Sequence, residues 1–276
     1  MAQTDLVLAL GGGGARGMAH IGVIRVLEEK GYTIRGIAGT SMGSIIGAIY
    51  CAGALKKYET YLTNLDTRGV LKMLDPTLPI DGLLSGRKLL KLLRGFLGDT
   101  SLEDLPLPLV ALASDLATGL PVALDKGDTV EALRASFAIP GVFPPVRLHG
   151  KWLVDGGIAA PVPVQAARKL IPNTPVLAIN VNTSELPPLQ ASLEAIAPIT
   201  DEKPSKPGIL TTVNESISHM QNQLAEFQLR LNPPEAEVKP ALKGVGLFDY
   251  IRSGHVIAEG RRAMEEAIDR GALAHF

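Results

Sequence analysis

Tyr32-Thr33-Ile34-Arg35-Gly36-Ile37-Ala38-Gly39-Thr40-Ser41-Met42-Gly43-Ser44-Ile45-Ile46-Gly47-Ala48-Ile49-Tyr50-Cys51-Ala52-Gly53 runs from one apolar stretch into another through a turn flanked by glycines. Tyr32 to Ala38 reads as a strand and Ser44 to Gly53 as an apolar helix. Upstream, Leu6-Val7-Leu8-Ala9-Leu10 is an unbroken apolar run ending in glycines, the pattern of a strand buried on both faces. Gly17 to Lys30 reads as a helix with Ile21, Ile24 and Leu27 on one face. Strand, glycine loop, helix, strand, turn and helix make a βαβα unit, which implies a parallel sheet covered by helices.

The turn carries chemistry. Gly39-Thr40-Ser41-Met42-Gly43 fits Gly-x-Ser-x-Gly between a strand and a helix, the nucleophile elbow of serine hydrolases. Residues beside the serine in so tight a turn can have almost no side chain, which glycine satisfies. The helix that follows turns its free N–H groups towards the serine and favours negative charge there.

Bulk properties narrow the classes. The chain has 276 residues, enough for one large α/β domain, and 46% of them are hydrophobic. Net charge is −1 from 27 basic and 28 acidic residues, so nothing global points to nucleic acid. Cys51 is the single cysteine, which excludes an internal disulfide and reads as a buried structural thiol. Met1-Ala2-Gln3-Thr4-Asp5 lacks a basic region and Leu6 to Leu10 is too short for a signal sequence. No apolar stretch reaches the length of a bilayer span. A cytoplasmic protein is expected, with peripheral contact at the inner face of the membrane left open.

Further along, residues 55 to 104 read as less regular and leucine-rich. Pro108 to Ala113 and Leu120 to Leu124 read as strands around a turn at Asp115-Leu116-Ala117-Thr118-Gly119. Thr129 to Phe137 reads as a short helix, Lys151 to Val154 as a short strand closed by Asp155-Gly156-Gly157, and Pro175 to Val181 as another strand. The segment 183–209, rich in Pro, Ser and Glu, reads as a surface excursion, an insertion or a lid. Gly208 to Leu231 reads as a long helix, and Val245 to Leu273 holds another. The expectation is one domain over 1–276, with a motif-bearing core at about 5–182 and C-terminal helices over 210–276.

Gly11-Gly12-Gly13-Gly14-Ala15-Arg16-Gly17 has three readings. Residues 12 to 17 fit the dinucleotide pattern G-x-G-x-x-G, but the second strand ends without the acid that would hold a ribose. A phosphate loop would need Lys-Ser/Thr where Met18-Ala19 stands. A loop without side chains at a helix N-terminus suits an oxyanion hole, and an open α/β sheet brings it to the same edge as Ser41. No cofactor and no metal are expected.

Ser41 needs a proton acceptor. His20 precedes the elbow on the first helix, and His149 sits in a hairpin turn. His219, His255 and His275 lie on charged helical or terminal segments, where surface or helix-packing roles are expected. Asp155, which follows a strand and precedes two glycines, is the better candidate, although Asp-Gly also marks ordinary hairpin turns. A carboxylate is a weak base for an alcohol, so desolvation must raise its pKa or the oxyanion hole must do more.

The glycine loop at 11–17, Gly39-Thr40-Ser41-Met42-Gly43-Ser44 and Asp155-Gly156-Gly157 together resemble the three signatures of the patatin-like phospholipases. Ala135-Ser136-Phe137-Ala138-Ile139-Pro140-Gly141-Val142-Phe143-Pro144-Pro145 and the stretch around Asp115 and Gly119 resemble segments of bacterial members, so the likeness runs from about residue 5 to 182. The resemblance implies a three-layer α/β/α sandwich with a mainly parallel sheet, and hydrolysis of carboxylic esters of lipids by a Ser–Asp dyad without histidine. It assigns Ser41 as nucleophile, Asp155 as base and the N–H groups near Gly12, Gly13 and Gly14 as the oxyanion hole. Arg16 would orient that loop or meet a lipid phosphate. A lipid or ester is the expected partner. A regulatory or scaffold protein on the same fold, and a nucleotide-binding oxidoreductase, are the competing readings.

Arg87-Lys88-Leu89-Leu90-Lys91-Leu92-Leu93-Arg94-Gly95-Phe96-Leu97 reads as a basic amphipathic helix. Such a helix lies on an anionic membrane or packs its apolar face on a core.

Overall fold

The computed structural model describes residues 4–75, 84–182, 208–274 and 276. The expected excursion at 183–209 lies, up to residue 207, outside the described residues, as does His275. Among the described residues, eight strands form one sheet in the order β5-β6-β3-β2-β1-β7-β8, with β4 paired to β3. They are β1 Asp5–Leu10, β2 Thr33–Thr40, β3 Leu109–Asp115, β4 Pro121–Leu124, β5 Val146–Leu148, β6 Lys151–Asp155, β7 Val176–Ile179 and β8 Ala236–Val238. The five strands β3-β2-β1-β7-β8 run parallel, and β4, β5 and β6 add antiparallel pairings at one side.

Strand periodicity builds the layers. In β1, Leu6, Leu8 and Leu10 enter one apolar cluster while Val7 and Ala9 enter another on the opposite face. Helices α1 (Ala19–Glu29), α2 (Met42–Cys51) and α9 (Ser253–Asp269) cover the first face. Helices α7 (Val164–Leu170) and α8 (Ile209–Leu231) cover the second, through residues such as Val164, Ala167, Ala225 and Leu229. The result is a three-layer α/β/α arrangement with a mixed, mainly parallel sheet. His149 and Gly150 join β5 to β6 with φ of 49° and 74°, the backbone of a type I′ hairpin.

Within the stretch expected to be less regular, the described residues form three α-helices, α3 (Leu55–Thr63), α4 (Thr67–Leu74) and α5 (Arg87–Leu97), the last where a helix is expected. A side-chain cap starts α4: Asp66 Oδ1 accepts the Gly69 N–H at 2.7 Å. Leu89, Leu93 and Leu97 of α5 are buried in the first core, so this helix packs its apolar face inward. Asp128 caps α6 (Thr129–Ser136) and also pairs with Arg94 of α5, fixing the helix that carries Ser136.

Helix α8 also carries a row of apolar side chains outside. Asn222, Ala225 and Leu229 face inward and are buried, while Ile209, Val213, Met220, Phe227 and Leu231 are exposed along the opposite side. At 100° per residue those five fall within a narrow stripe running the length of the helix.

Candidate active site

Ser41 is the single residue between β2 and α2, with φ 53° and ψ −120°. A non-glycine residue at positive φ stores strain, and here the flanking glycines make it attainable. A Cβ on Gly39 would stand 2.5 Å from the Ser44 backbone, and one on Gly43 would stand 2.2 Å from Leu10 O. Three serines fix the turn. The Ser41 N–H donates to Ser136 Oγ at 2.9 Å, and Ser136 Oγ donates to Leu112 O at 2.6 Å. Ser44 Oγ donates to Ser41 O at 2.6 Å. Sequence reasoning missed Ser44 and Ser136, the second because it lies 95 residues from Ser41.

Asp155 ends β6, in register opposite Ala113 of β3. Its backbone is held on both sides, N–H to Ala138 O at 2.9 Å and C=O to Ser114 Oγ at 2.9 Å. The side chain is buried; Oδ1 accepts the Gly157 N–H at 2.8 Å, and Oδ2 has no hydrogen-bond partner among the described residues. Burial pushes the carboxyl up to about 6, against the opposing pull of the Ser41 hydroxyl and the Gly157 N–H. The Ser41 hydroxyl thus bears on the carboxyl, while Oδ2 closes no hydrogen bond with it among the described residues.

The glycine loop lies beside them. The Gly11 N–H donates to Ile179 O and the Gly12 N–H to Pro161 O, each at 3.0 Å. Gly12 therefore departs from the expectation that it offers a free donor: the close approach of Pro161 occupies its N–H. The Ala15 N–H donates to Leu247 O at 2.8 Å, and Arg16 donates to Gly13 O from both its backbone N–H and Nε, each at 3.2 Å. The Gly13 and Gly14 N–H groups remain without a protein acceptor among the described residues. Burial lowers the Arg16 pKa, and Glu215 raises it.

No described histidine reaches Ser41 by a hydrogen bond. His20 is fully buried with Nε2 2.8 Å from Gly11 O, so the ring is neutral, its pKa lowered by burial to about 4, and it donates to that carbonyl. It steadies the loop from below. His219, expected to be a surface or packing residue, is exposed but lines the cleft from α8.

Ser41 stands between two unlike spaces. On one side is a cleft of about 210 Å³ lined by Gly12, Gly13, Gly14, Arg16 and Asp155, with α8 supplying polar side chains across from them. On the other is a small apolar recess of about 20 Å³ lined by Met42, Ile45, Phe137, Phe143 and Phe248. The structure thus gathers Ser41, Asp155, the glycine loop and Arg16 at one opening. Among the described residues, no group of His, Cys, Asp and Glu is placed to hold a metal.

An open α/β sheet with a strained serine at the carboxyl end of a central strand belongs to the architectures that host acyl-transfer sites in that position. Residues 8–168 match the sequence profile described as patatin-like phospholipase, and the chain belongs to that family. An uncharacterized NTE family protein of Mycobacterium tuberculosis (strain ATCC 25618 / H37Rv) is 42% identical over 183 residues, 66% of this chain and 51% of that relative. The match thus spans about half the length of that curated protein. Neuropathy target esterase sws of Drosophila melanogaster is 32% identical over 170 residues, 59% of this chain and 12% of that one. Among solved structures, VipD from Legionella pneumophila superposes with a TM-score of 0.53 at 14% identity, over 98% of this chain and 67% of that one, a likeness of fold. Members of the family are lipid esterases or phospholipases.

Proposed function

We propose that this chain hydrolyses carboxylic esters of lipids through a Ser41–Asp155 dyad and an acyl-enzyme. One observation carries the reading: a buried carboxyl, raised to about 6, facing a serine held at positive φ in a glycine-flanked elbow. A free aspartate has a pKa near 3.9, too acidic to accept a proton from an alcohol effectively. Desolvation moves Asp155 to where it is still ionised at neutral pH but more basic. Its unpartnered Oδ2 is the atom available for the proton.

Ser41 Oγ attacks the ester carbonyl as its proton passes to Asp155. The carbonyl oxygen becomes an oxyanion and takes the Gly13 and Gly14 N–H groups as donors, with the N-terminus of α2 adding positive potential. The tetrahedral centre collapses, the C–O bond to the alcohol breaks, and Asp155 returns its proton to the leaving oxygen. Water then attacks the acyl-enzyme, giving its proton to Asp155, which passes it to Ser41 Oγ as the fatty acid leaves. Arg16, hydrogen-bonded to Gly13 O, is a positioning residue for the oxyanion loop.

Access to lipid is proposed at α8. This helix lines the cleft with mostly polar residues and presents Ile209, Val213, Met220, Phe227 and Leu231 outward along its exposed side, an apolar stripe that suits a lipid surface. Among the described residues, no helix is long and apolar enough to cross a membrane. Release of p-nitrophenol from p-nitrophenyl octanoate tests the reading: Ser41→Ala abolishes it with the fold retained, and activity persisting in the purified variant removes Ser41 from the mechanism.

A further inference from the structure

Two asparagines that line the cleft beside Ser41 each carry a buried polar atom with no hydrogen-bond partner among the described residues. Asn182, on the loop after β7, is 5% exposed, and its Nδ2 has no partner. Asn222, on α8, is 4% exposed, and its Oδ1 has none. Both line the same cleft as Ser41 and Asp155. Leaving a buried amide group unsatisfied is costly, so two in the lining of one opening suit something that enters from it.

Both are fixed. The Asn182 N–H donates to Asn180 Oδ1 at 3.1 Å, and Asn180 Nδ2 donates to Glu237 Oε1 at 3.0 Å on β8. Asn222 follows Gln221, whose Nε2 lies 2.6 Å from where a Cβ of Gly157 would stand, so this part of α8 is packed against the Asp155 turn. The unsatisfied pair therefore keeps a set place relative to the dyad.

One atom is a donor and the other an acceptor. A hydroxyl supplies both functions and satisfies either amide in either orientation, whereas a phosphate oxygen only accepts. Charge points the same way. Arg16 is the sole Lys or Arg lining the cleft among the described residues; its Nε is on Gly13 O, and Glu215 acts on its charge. Glu215 and Asp155 place two carboxyls in the same opening. Among the described residues, one arginine and two carboxyls leave the cleft without a positive excess to hold a phosphate.

We infer that this cleft takes a neutral, hydroxyl-bearing head group, so that the preferred substrate is an ester of a polyol such as glycerol rather than a lipid bearing phosphate. The inference rests on the hydrolase reading and narrows it. Asn182 and Asn222 bind the free hydroxyls, and the apolar recess past Ser41 takes the first carbons of the acyl chain.

The test is a panel of oleoyl esters differing only in the alcohol: 1-oleoylglycerol, propyl oleate and 1-oleoyl lysophosphatidic acid, in the same detergent micelles. The expected result is a kcat/KM for 1-oleoylglycerol at least tenfold above each of the others, with the difference chiefly in KM. In Asn182→Leu and Asn222→Leu that ratio falls towards one. Propyl oleate cleaved as efficiently as 1-oleoylglycerol, or the phosphate ester preferred, overturns the inference while leaving the hydrolase reading intact. If a variant fails to fold, the wild-type ratios alone decide. No release of oleate from any ester, and none of p-nitrophenol from p-nitrophenyl octanoate, overturns the hydrolase reading and this inference with it.

Discussion

Replacing Asp155 with Asn should make the protein inactive and more stable at neutral pH. The carboxyl is buried and its pKa stands at about 6, roughly two units above an unfolded aspartate. Each unit is worth about 1.4 kcal/mol, so ionised Asp155 destabilises the fold by about 3 kcal/mol at pH 7. The sign follows from proton uptake. Between about pH 4 and 6 the folded chain holds a proton here that the unfolded chain has released, so this group's contribution falls as pH rises through that window. Asparagine has no charge to bury. Its Oδ1 keeps the Gly157 N–H, and its Nδ2 can donate to Ser41 Oγ. Asp155→Asn should therefore unfold at a higher temperature at pH 7.5, by several degrees for a chain of this size, with the gain shrinking towards zero near pH 4. Differential scanning calorimetry of both proteins at the two pH values measures it. Taking the difference between them removes His20, whose depressed pKa acts in the opposite sense by withdrawing stability as pH falls from about 6.5 to 4. An Asp155→Asn protein that unfolds at or below the wild-type temperature at pH 7.5 would mean that the carboxylate is stabilised where it lies, and the argument for its basicity would fail.

Further outcomes follow from the same geometry. Ser136→Ala leaves the Ser41 N–H without its acceptor, and should cost about 1–3 kcal/mol by urea unfolding and lower kcat more than it changes KM. Gly43→Ala sets a Cβ 2.2 Å from Leu10 O and should prevent the elbow from forming, seen as loss of the cooperative transition in a thermal melt. The pair Met220→Glu and Phe227→Glu should lower co-sedimentation with phosphatidylcholine vesicles severalfold while leaving hydrolysis of a soluble p-nitrophenyl ester unchanged; unaltered sedimentation would move lipid contact away from α8. The kcat/KM of the wild type should rise through a midpoint near pH 6 as Asp155 ionises, and a profile flat from pH 5 to 7 would count against a carboxylate base.

What the sequence disclosed was local. The elbow, the glycine loop and Asp155-Gly156-Gly157 are short strings whose backbone demands can be read residue by residue, and the apolar run at Leu6–Leu10 announces a strand buried on both faces. What it withheld depends on segments meeting in space. Gly12 looks like any other donor in a run of four glycines until Pro161 is seen on its N–H. Ser136 and Asn222 are ordinary helix residues until the fold brings one to the Ser41 backbone and the other to the cleft. The basic helix at Arg87–Leu97 fits a membrane or a core by pattern, and only the structure shows Leu89, Leu93 and Leu97 buried. The three residues of β8 are too few to carry a strand pattern of their own and gain their identity by pairing with β7.

The most direct test of the account is covalent labelling with an alkyl fluorophosphonate, followed by peptide mass mapping at a series of pH values. The account predicts one adduct per chain, on Ser41, with a labelling rate that rises through a midpoint near pH 6 and is lost in Asp155→Asn but retained in His219→Ala. An adduct on another residue, or Asp155→Asn labelled at the wild-type rate, would contradict it.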